Sequence, residues 1–193
     1  RNFQLEFLGP VIGREDVEVI LRSGTLDELL SGLETLNLDI ILADQPISAN
    51  SHPQIVAHRL SEQAVSIVGP PQIPRSDPVE LVQEHPIILP TGSSGIRTGF
   101  QAWLDREGLR PTIAAEVDDV SMIRLLASNG AGLAPLPLIA VQDEVASGKL
   151  TELAALPGVK ETFYALTMPR RFANRWVDEL LASQPPPKLL KVT

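Results

Sequence analysis

The sequence predicts an α/β fold arranged in two lobes. Short apolar runs typical of strands alternate with amphipathic helical patterns, which indicates strand–helix–strand units around mostly parallel sheets. Turn-rich breaks, the clearest at residues 69–74 (GPPQIP), flank a long middle section and favour two lobes. Of the 193 residues, 44% are hydrophobic and 21% are charged, so the chain has the composition of a folded protein with a buried core.

The first strand–helix–strand unit is predicted at residues 17–43. Residues 17–22 (VEVILR) have a strand pattern, and residues 25–36 (TLDELLSGLETL) place five leucines on one face of a helix. Thr25 and Glu28 have capping-box spacing, which fixes where that helix begins. Residues 38–43 (LDIILA) are a continuous apolar run, as expected of a strand buried on both faces of a sheet.

The remaining elements follow from the same patterns. Gly130 is expected to end the helix before it, and the proline-rich tail 184–193 is expected to lie outside the fold. The helix at 95–106 carries an apolar face of Ile96, Phe100, Trp103 and Leu104. Strands are predicted at 54–60, 64–68, 86–89, 112–117, 132–136 and 161–168, and helices at 78–83, 95–106, 118–129, 137–147 and 171–182.

Charge and cysteine content exclude several classes of function. The 24 acidic and 16 basic residues give a net charge of −8, which repels phosphate backbones, so this chain is not expected to bind nucleic acid by itself. The same acidic balance is equally explained by solubility alone. The sequence has no cysteine, so disulfides and thiolate metal sites are excluded. No run of about 18 apolar residues occurs, so no membrane-spanning helix is predicted.

Enzyme motifs are missing from the sequence. Gly92, Gly95 and Gly99 lack the spacing of a dinucleotide-binding loop, and no G-x-S-x-G nucleophile elbow is present. The three histidines do not have metal-ligand spacing. We therefore expect a protein that is not an enzyme, without cofactor or metal.

The most informative loop joins the predicted strand at 86–89 to the helix that follows. Its residues Pro90, Thr91, Gly92, Ser93 and Ser94 combine hydroxyl groups with a glycine that lets the backbone approach a ligand. In open α/β sheets ligands bind at such carboxyl ends of strands, and a helix N-terminus favours anions. The alternative is that Ser93 or Ser94 is only a helix N-cap.

Polar residues occupy three other predicted strand ends. These are Ser23 and Thr25 before the first helix, Asp44 after the strand at 38–43, and Asp119 before the helix at 118–129. Each has the simpler explanation of a cap or a turn. Several polar strand ends in one chain favour a shared ligand cleft, and hydroxyls with helix N-termini suggest a small anionic ligand.

Four segments carry a resemblance to a known family. Residues 23–30 (SGTLDELL) and 38–44 (LDIILAD) resemble the first-lobe segment of the effector-binding domains of LysR-type transcription regulators. Residues 127–137 (ASNGAGLAPLP) and 143–150 (DEVASGKL) resemble two second-lobe segments of that family. Residues 116–122 (EVDDVSM) further resemble a subgroup that includes the activator of a sodium–proton antiporter gene.

The resemblance implies two Rossmann-like lobes joined by two crossover strands, as in type II periplasmic binding proteins. Lobe I would comprise residues 1–68 and 167–193, and lobe II residues 69–166. Family effector contacts carry over to Thr25, Pro90, Thr91 and the loop at 92–94, and Pro135 in the second-lobe motif joins the expected ligand-binding residues. A homodimer or tetramer is implied, with DNA binding by a winged helix-turn-helix that precedes Arg1, in the cytoplasm.

Three functions compete at this point. The first is a domain that binds a small-molecule effector between its lobes to control DNA binding by a LysR-type regulator. The second is a periplasmic solute-binding protein of a transporter, which has a similar fold. The third is an enzyme on the same scaffold, which would need a convergent acid, base or nucleophile that the sequence does not show.

Overall fold

The computed structural model describes residues 2–45, 47, 51–92 and 94–183. The chain divides into two compact units: unit 1 comprises Arg1–Ser61 with Thr162–Thr193, and unit 2 comprises Glu62–Glu161. The helices are α1 (Asn2–Leu8), α2 (Leu26–Glu34), α3 (Pro78–Glu84), α4 (Gly95–Glu107), α5 (Val120–Ser128), α6 (Gln142–Ala146) and α7 (Arg175–Ala182). The strands are β1 (Ile41–Ala43), β2 (Val56–Gly69), β3 (Ile87–Pro90), β4 (Ile113–Val117), β5 (Ala134–Pro137) and β6 (Thr151–Thr167).

The strands form two sheets of different character. A four-stranded sheet has the order β1-β6-β2-β5, in which β1 pairs with β6 and β5 pairs with β2, both antiparallel. A two-stranded sheet pairs β3 with β4 in parallel. The expectation of mostly parallel sheets was therefore wrong, although the α/β fold class is confirmed. Parallel pairing needs a crossover connection, and α4 supplies one between β3 and β4, whereas no helix alone connects β1 to β6 or β2 to β5.

Unit 2 has its core around β3 and α4. All four residues of β3 are buried, because helices and neighbouring strands cover the strand. The predicted apolar face of α4 is confirmed, since Ile96, Phe100, Trp103 and Leu104 are each at most 3% exposed. The Phe100 and Trp103 rings stack with their centroids 5.6 Å apart. This packing fixes α4 and the end of β3 in unit 2.

Unit 1 contains the predicted leucine-rich helix α2. The capping box is confirmed: the Thr25 side chain accepts from the Glu28 N–H, and the Glu28 side chain accepts from the Thr25 N–H. Leu30 and Leu33 on its inner face pack with three buried residues of unit 1, Ile41, Ile55 and Leu166. The short helix α1, which the sequence analysis did not predict, buries Phe3 and Phe7, and the Phe3 ring stacks on Phe163 at 4.2 Å.

Residues 17–22 are a wrong prediction, because they do not form a strand. A strand requires a ladder partner, and no described strand pairs with this segment. Its apolar side chains Ile20 and Leu21 are both 68% exposed. Residues 17–22 therefore have the apolar pattern of a strand, but no strand among the described residues lies beside them to pair with.

Several boundaries also differ from the predictions. The strands expected at 54–60 and 64–68 are one strand, β2, and β6 begins ten residues before the expected position 161. The helix expected at 137–147 is a 3-10 turn at Leu138–Val141 followed by α6. The last helix begins at Arg175, because Asn174 is its N-cap. The expected tail at 184–193 lies outside the described residues.

Candidate functional site

The loop that follows β3 is anchored to the neighbouring strand of unit 2. The Thr91 N–H donates to the Val117 carbonyl oxygen at 2.9 Å, so the loop starts beside the end of β4. Gly92 has a φ of +69° with open space around it, a conformation that favours glycine. Pro90 is buried, whereas Thr91 and Gly92 are exposed. The Thr91 hydroxyl therefore sits in solvent on a rigid strand end. Ser93 lies outside the described residues.

Ser94 has the capping role that the sequence analysis gave as the alternative. Its Oγ accepts from the Arg97 N–H at 3.1 Å, which starts the 13-residue helix α4. A cap of this kind occupies one of the unpaired N–H groups at the first turn and leaves others for a ligand. Capping and ligand binding are thus compatible at this loop.

Arg97 is a candidate functional residue that the sequence analysis missed. Its Nη1 donates to the Pro90 carbonyl oxygen at 3.2 Å, and its Nη2 lies 2.8 Å from Glu116 Oε1 at the end of β4. The guanidinium therefore lies next to the loop, with its charge paired with Glu116. The signal was available: side chains tilt toward a helix N-terminus, so an arginine in the first turn points back to the strand end.

Asp119 and Pro135, also in unit 2, differ in the groups that they present to a ligand. Asp119 is exposed, and its Oδ1 accepts from the Ser121 N–H at 2.8 Å as the N-cap of α5. It follows β4 by two residues, so it lies at the sheet edge where the loop after β3 starts. Pro135 is buried in β5 opposite Ile67 of β2 and has no polar side chain. Of the two, only Asp119 offers a polar group.

In unit 1, the predicted residues Ser23 and Thr25 are exposed at the start of α2. The Thr25 N–H and Oγ1 both donate to Glu28 Oε2, at 2.8 and 2.9 Å. Hydrogen bonds from the Thr25 backbone and then from its side chain lower the pKa of Glu28. The Thr25 hydroxyl proton is thus already used within the capping box, and a ligand at this position would meet its oxygen or displace that bond.

Asp44 follows β1 in unit 1 and is half-buried. Burial raises the pKa of its carboxyl above the ordinary value, and a backbone hydrogen bond within the residue opposes part of that change. This direction follows from burial and does not by itself make Asp44 a contact for an anion.

Two further findings concern metal centres and membrane-spanning helices in the part of the chain that the structure describes. Within it, no group of three or more histidine, cysteine or acidic side chains is arranged to hold a metal ion. None of its helices has both the length and the hydropathy needed to cross a membrane.

Comparison with known proteins gives consistent matches. The family model described as the LysR substrate binding domain matches residues 13–183. The transcriptional regulator CbbR of Cereibacter sphaeroides is 28% identical over 149 residues, which cover 75% of this chain and 47% of CbbR. The chain therefore spans about half the length of that curated relative.

Solved structures agree on the fold. The regulatory domain of HypT from Salmonella typhimurium superposes with a TM-score of 0.75 at 17% identity, covering 92% of this chain and 87% of that domain. The regulatory domain of CcmR from Synechocystis PCC6803, in complex with 2-PG, gives a TM-score of 0.73 at 16% identity, covering 96% and 93%. At these identities the two structures show that the chain shares the fold of these regulatory domains. The finer resemblance of residues 116–122 to an antiporter-gene activator stays a prediction.

Proposed function

Because the chain belongs to the LysR substrate-binding domain family, we propose that it binds a small-molecule effector and so controls DNA binding by a LysR-type transcription regulator. The single observation that carries this proposal is the family match, which spans residues 13–183. The matched CbbR and HypT are regulators, and the similar CcmR domain forms a complex with 2-PG. We propose no catalytic step.

The loop after β3 is our proposed effector site in unit 2. Its exposed hydroxyl at Thr91, the open backbone at Gly92 and the N-terminus of α4 at Ser94 are groups that bind anions. Arg97 holds the start of the same loop through its bond to the Pro90 carbonyl oxygen, while its charge is paired with Glu116. We therefore propose a small carboxylate or phosphate as the effector, with the backbone after Pro90 as its cradle.

The other predicted contacts also remain part of the proposal. Thr25 and Ser93 rest on the family resemblance, whereas Ser23, Asp44 and Asp119 rest on their place as polar residues at strand ends. In unit 1 these are Ser23, Thr25 and Asp44. In unit 2 they are Ser93, Asp119 and Pro135. Of this group, Pro135 has the weakest support, since a buried proline offers a ligand only its backbone carbonyl and ring.

A thermal-shift screen tests the effector class. The protein is heated with small carboxylates and phosphates, and with amines of matched size. An effector present at 100 times its dissociation constant adds about 2.7 kcal/mol to the free energy of unfolding, which raises the melting temperature of a domain this size by roughly 5–11 °C. Shifts given only by amines or neutral compounds would contradict the anionic class, while leaving the family assignment intact.

Substitution of Thr91 tests the location. We expect Thr91→Val to weaken binding of any effector found in the screen by about tenfold or more, because a hydroxyl hydrogen bond to a charged group contributes about 1.5–3 kcal/mol. Thr91→Ser should restore most of the affinity. Thr98→Val is the matched control, since Thr98 is exposed and is the fourth residue of α4. Equal affinity of wild type and Thr91→Val, measured calorimetrically, would remove the loop from the site.

We also make a proposal about the whole protein to which this domain belongs. We propose that a winged helix-turn-helix precedes this domain, that the protein is cytoplasmic and that it assembles as a homodimer or tetramer. The predicted lobe boundaries, 1–68 with 167–193 and 69–166, stay part of the proposal. Sequencing the gene upstream of the codon for Arg1 and measuring the mass by light scattering test these points. A secretory signal with a monomeric mass would favour a solute-binding protein instead.

A further inference from the structure

Unit 1 contains a solvent-open cavity that none of the predicted effector residues line. Its volume is about 310 Å³, at the lower end of the size range of small-molecule pockets. It is formed by the start of β2, the end of β6, the segment that follows β6 and one side of α7. The lining residues are Asp39, Val56, His58, Thr167, Met168, Pro169, Arg170, Ala173, Asn174, Val177, Asp178 and Leu181.

Half of the lining is apolar. Val177 and Leu181 lie one turn apart on α7, and Val56 and Met168 contribute from β2 and the end of β6. Val177, Leu181 and Met168 are only half-buried, and Val56 is 42% exposed. A ligand body of hydrocarbon that covered these four side chains would remove apolar surface from water, which is favourable.

The polar lining consists mainly of groups that are already paired. Arg170 Nη1 lies 2.7 Å from Asp39 Oδ1, and its Nη2 donates to the Leu38 carbonyl oxygen, so its charge is balanced within the protein. His58 Nε2 lies 2.9 Å from the Thr167 Oγ1, which ties β2 to β6 within unit 1. These pairs fix the floor of the cavity and do not call for an anion.

One charged side chain of the lining, that of Asp178, has no opposite charge paired with it among the described residues. The cavity has two carboxylates, Asp39 and Asp178, against the single guanidinium of Arg170. Asp39 is the partner of Arg170, whereas Asp178 forms no ion pair within the described residues. The next residue, Glu179, pairs with Arg14. The cavity thus combines an apolar wall with one unbalanced negative charge at its rim.

We propose that this cavity is a second ligand site, which takes a small amphipathic amine. The hydrocarbon body of the ligand contacts Val56, Met168, Val177 and Leu181, and its ammonium group pairs with Asp178. The chemistry is opposite in sign to that of the loop at Thr91, so the two sites select different molecules. The cavity's lining residues Val56, His58 and Thr167 lie on β2 and β6, the two strands that continue from unit 1 into unit 2.

Phenethylamine and phenylacetate test this proposal as a pair of matched size and opposite charge. Each is titrated into methyl-labelled protein while carbon–proton NMR spectra are recorded. We expect phenethylamine to give saturable shifts of the methyl signals of Val56, Met168, Val177 and Leu181, and phenylacetate to give none there. Equal shifts with both compounds, or no saturable shift of these signals with phenethylamine, would overturn the proposal.

Three variants separate the charge from the cavity. Asp178→Asn should weaken phenethylamine binding by roughly two- to fivefold, the size of an exposed ion pair, whereas Glu179→Gln removes an equal charge from the adjacent residue and should leave affinity unchanged. Val177→Trp should fill the cavity and abolish the shifts, with circular dichroism showing a folded protein. If Val177→Trp does not fold, the comparison of Asp178→Asn with Glu179→Gln still tests the proposal. Equal affinities of those two variants for phenethylamine would contradict the proposed contact.

Discussion

The two units bury their side chains in different ways. In unit 2 the largest fully buried side chains, Trp103 and Phe100, stack together beneath β3, and every residue of β3 is buried. In unit 1 the core under α2 consists of leucine and isoleucine side chains, Phe7 is buried on α1, and Ile20 and Leu21 project into solvent outside any strand. The proposed effector loop in unit 2 therefore starts from a strand end that is packed on both faces, which suits a site that must hold its geometry.

The first prediction compares the cores. Trp103→Ala should lower the free energy of unfolding by about 3–5 kcal/mol, because it removes a large side chain that is 1% exposed and leaves a cavity. Leu33→Ala in unit 1 should cost less, about 2–3 kcal/mol. Phe172→Ala is the control, since its ring is 82% exposed, and it should stay within about 0.5 kcal/mol. Urea denaturation measures all three, and a larger loss at Leu33 than at Trp103 would reverse the comparison.

Ion pairs give the second test. In unit 2, Arg124 Nη2 lies 2.5 Å from Glu144 Oε1, and the two side chains are only 17% and 16% exposed. Glu144→Gln should cost roughly 2–3 kcal/mol, below the value for a fully buried pair, because the arginine loses its counter-charge away from water. In unit 1, the Arg14–Glu179 pair is 41% and 45% exposed, so Glu179→Gln should cost less than about 1 kcal/mol.

The same denaturation series decides this second test. Both variants remove one negative charge and keep the shape of the side chain, so their difference reports burial together with the second partner, Asp16, that Arg14 retains. Equal losses for the two variants would mean that the two units screen charge alike.

Two glycines supply the third test. A Cβ at Gly132 in unit 2 would lie 2.7 Å from the Pro86 carbonyl oxygen, which is backbone and cannot yield easily. Gly132→Ala should therefore cost about 1–3 kcal/mol. A Cβ at Gly24 in unit 1 would lie 3.0 Å from Glu28 Oε2, the end of a flexible side chain, so Gly24→Ala should cost less than about 1 kcal/mol. Melting temperatures of the two variants check the order, and a greater loss at Gly24 would contradict it.

The same difference explains which elements could be predicted from the sequence. The buried face of α4 and the cap at Thr25 depend on residues three or four apart, so local spacing was sufficient. The strand pattern at 17–22 failed, because strand formation depends on a partner that local sequence does not contain. The first part of β6 was missed because Pro157 and Gly158 interrupt its pattern.

In the candidate site, too, local sequence predicted only the features formed by neighbouring residues. The loop at Thr91 could be recognised because strand end, small polar residues and helix start are consecutive in the sequence. Arg97 was missed, since its contacts with the Pro90 carbonyl and Glu116 join residues 7 and 19 positions away. The lining residues of the unit 1 cavity come from parts of the chain that are far apart: the segment before β1, strand β2, the end of β6 and helix α7. No local motif marks them.

The smallest predicted effect concerns two acidic residues of unit 1 whose pKa values move in opposite directions. Burial raises the pKa of Asp44, so its ionisation disfavours the folded state, and this penalty grows as pH rises from the unfolded to the folded pKa. Asp44→Asn should therefore stabilise the protein at neutral pH, by at most about 0.5 kcal/mol since water reaches part of the side chain. The gain should vanish at a pH below the unfolded pKa.

Glu28 gives the opposite pH dependence and serves as the control. Hydrogen bonds from Thr25 lower its pKa, so its stabilising effect is present above the unfolded pKa and is lost as pH falls through the folded pKa. NMR titration of both carboxyls should place the Glu28 midpoint below its ordinary value and the Asp44 midpoint above it. Thr25→Ala should move only the Glu28 midpoint, and only part of the way back, because the backbone N–H at position 25 remains. If Asp44→Asn is destabilising at neutral pH, the carboxylate of Asp44 has a favourable contact in unit 1 that outweighs its burial, and its place in an anion site loses support.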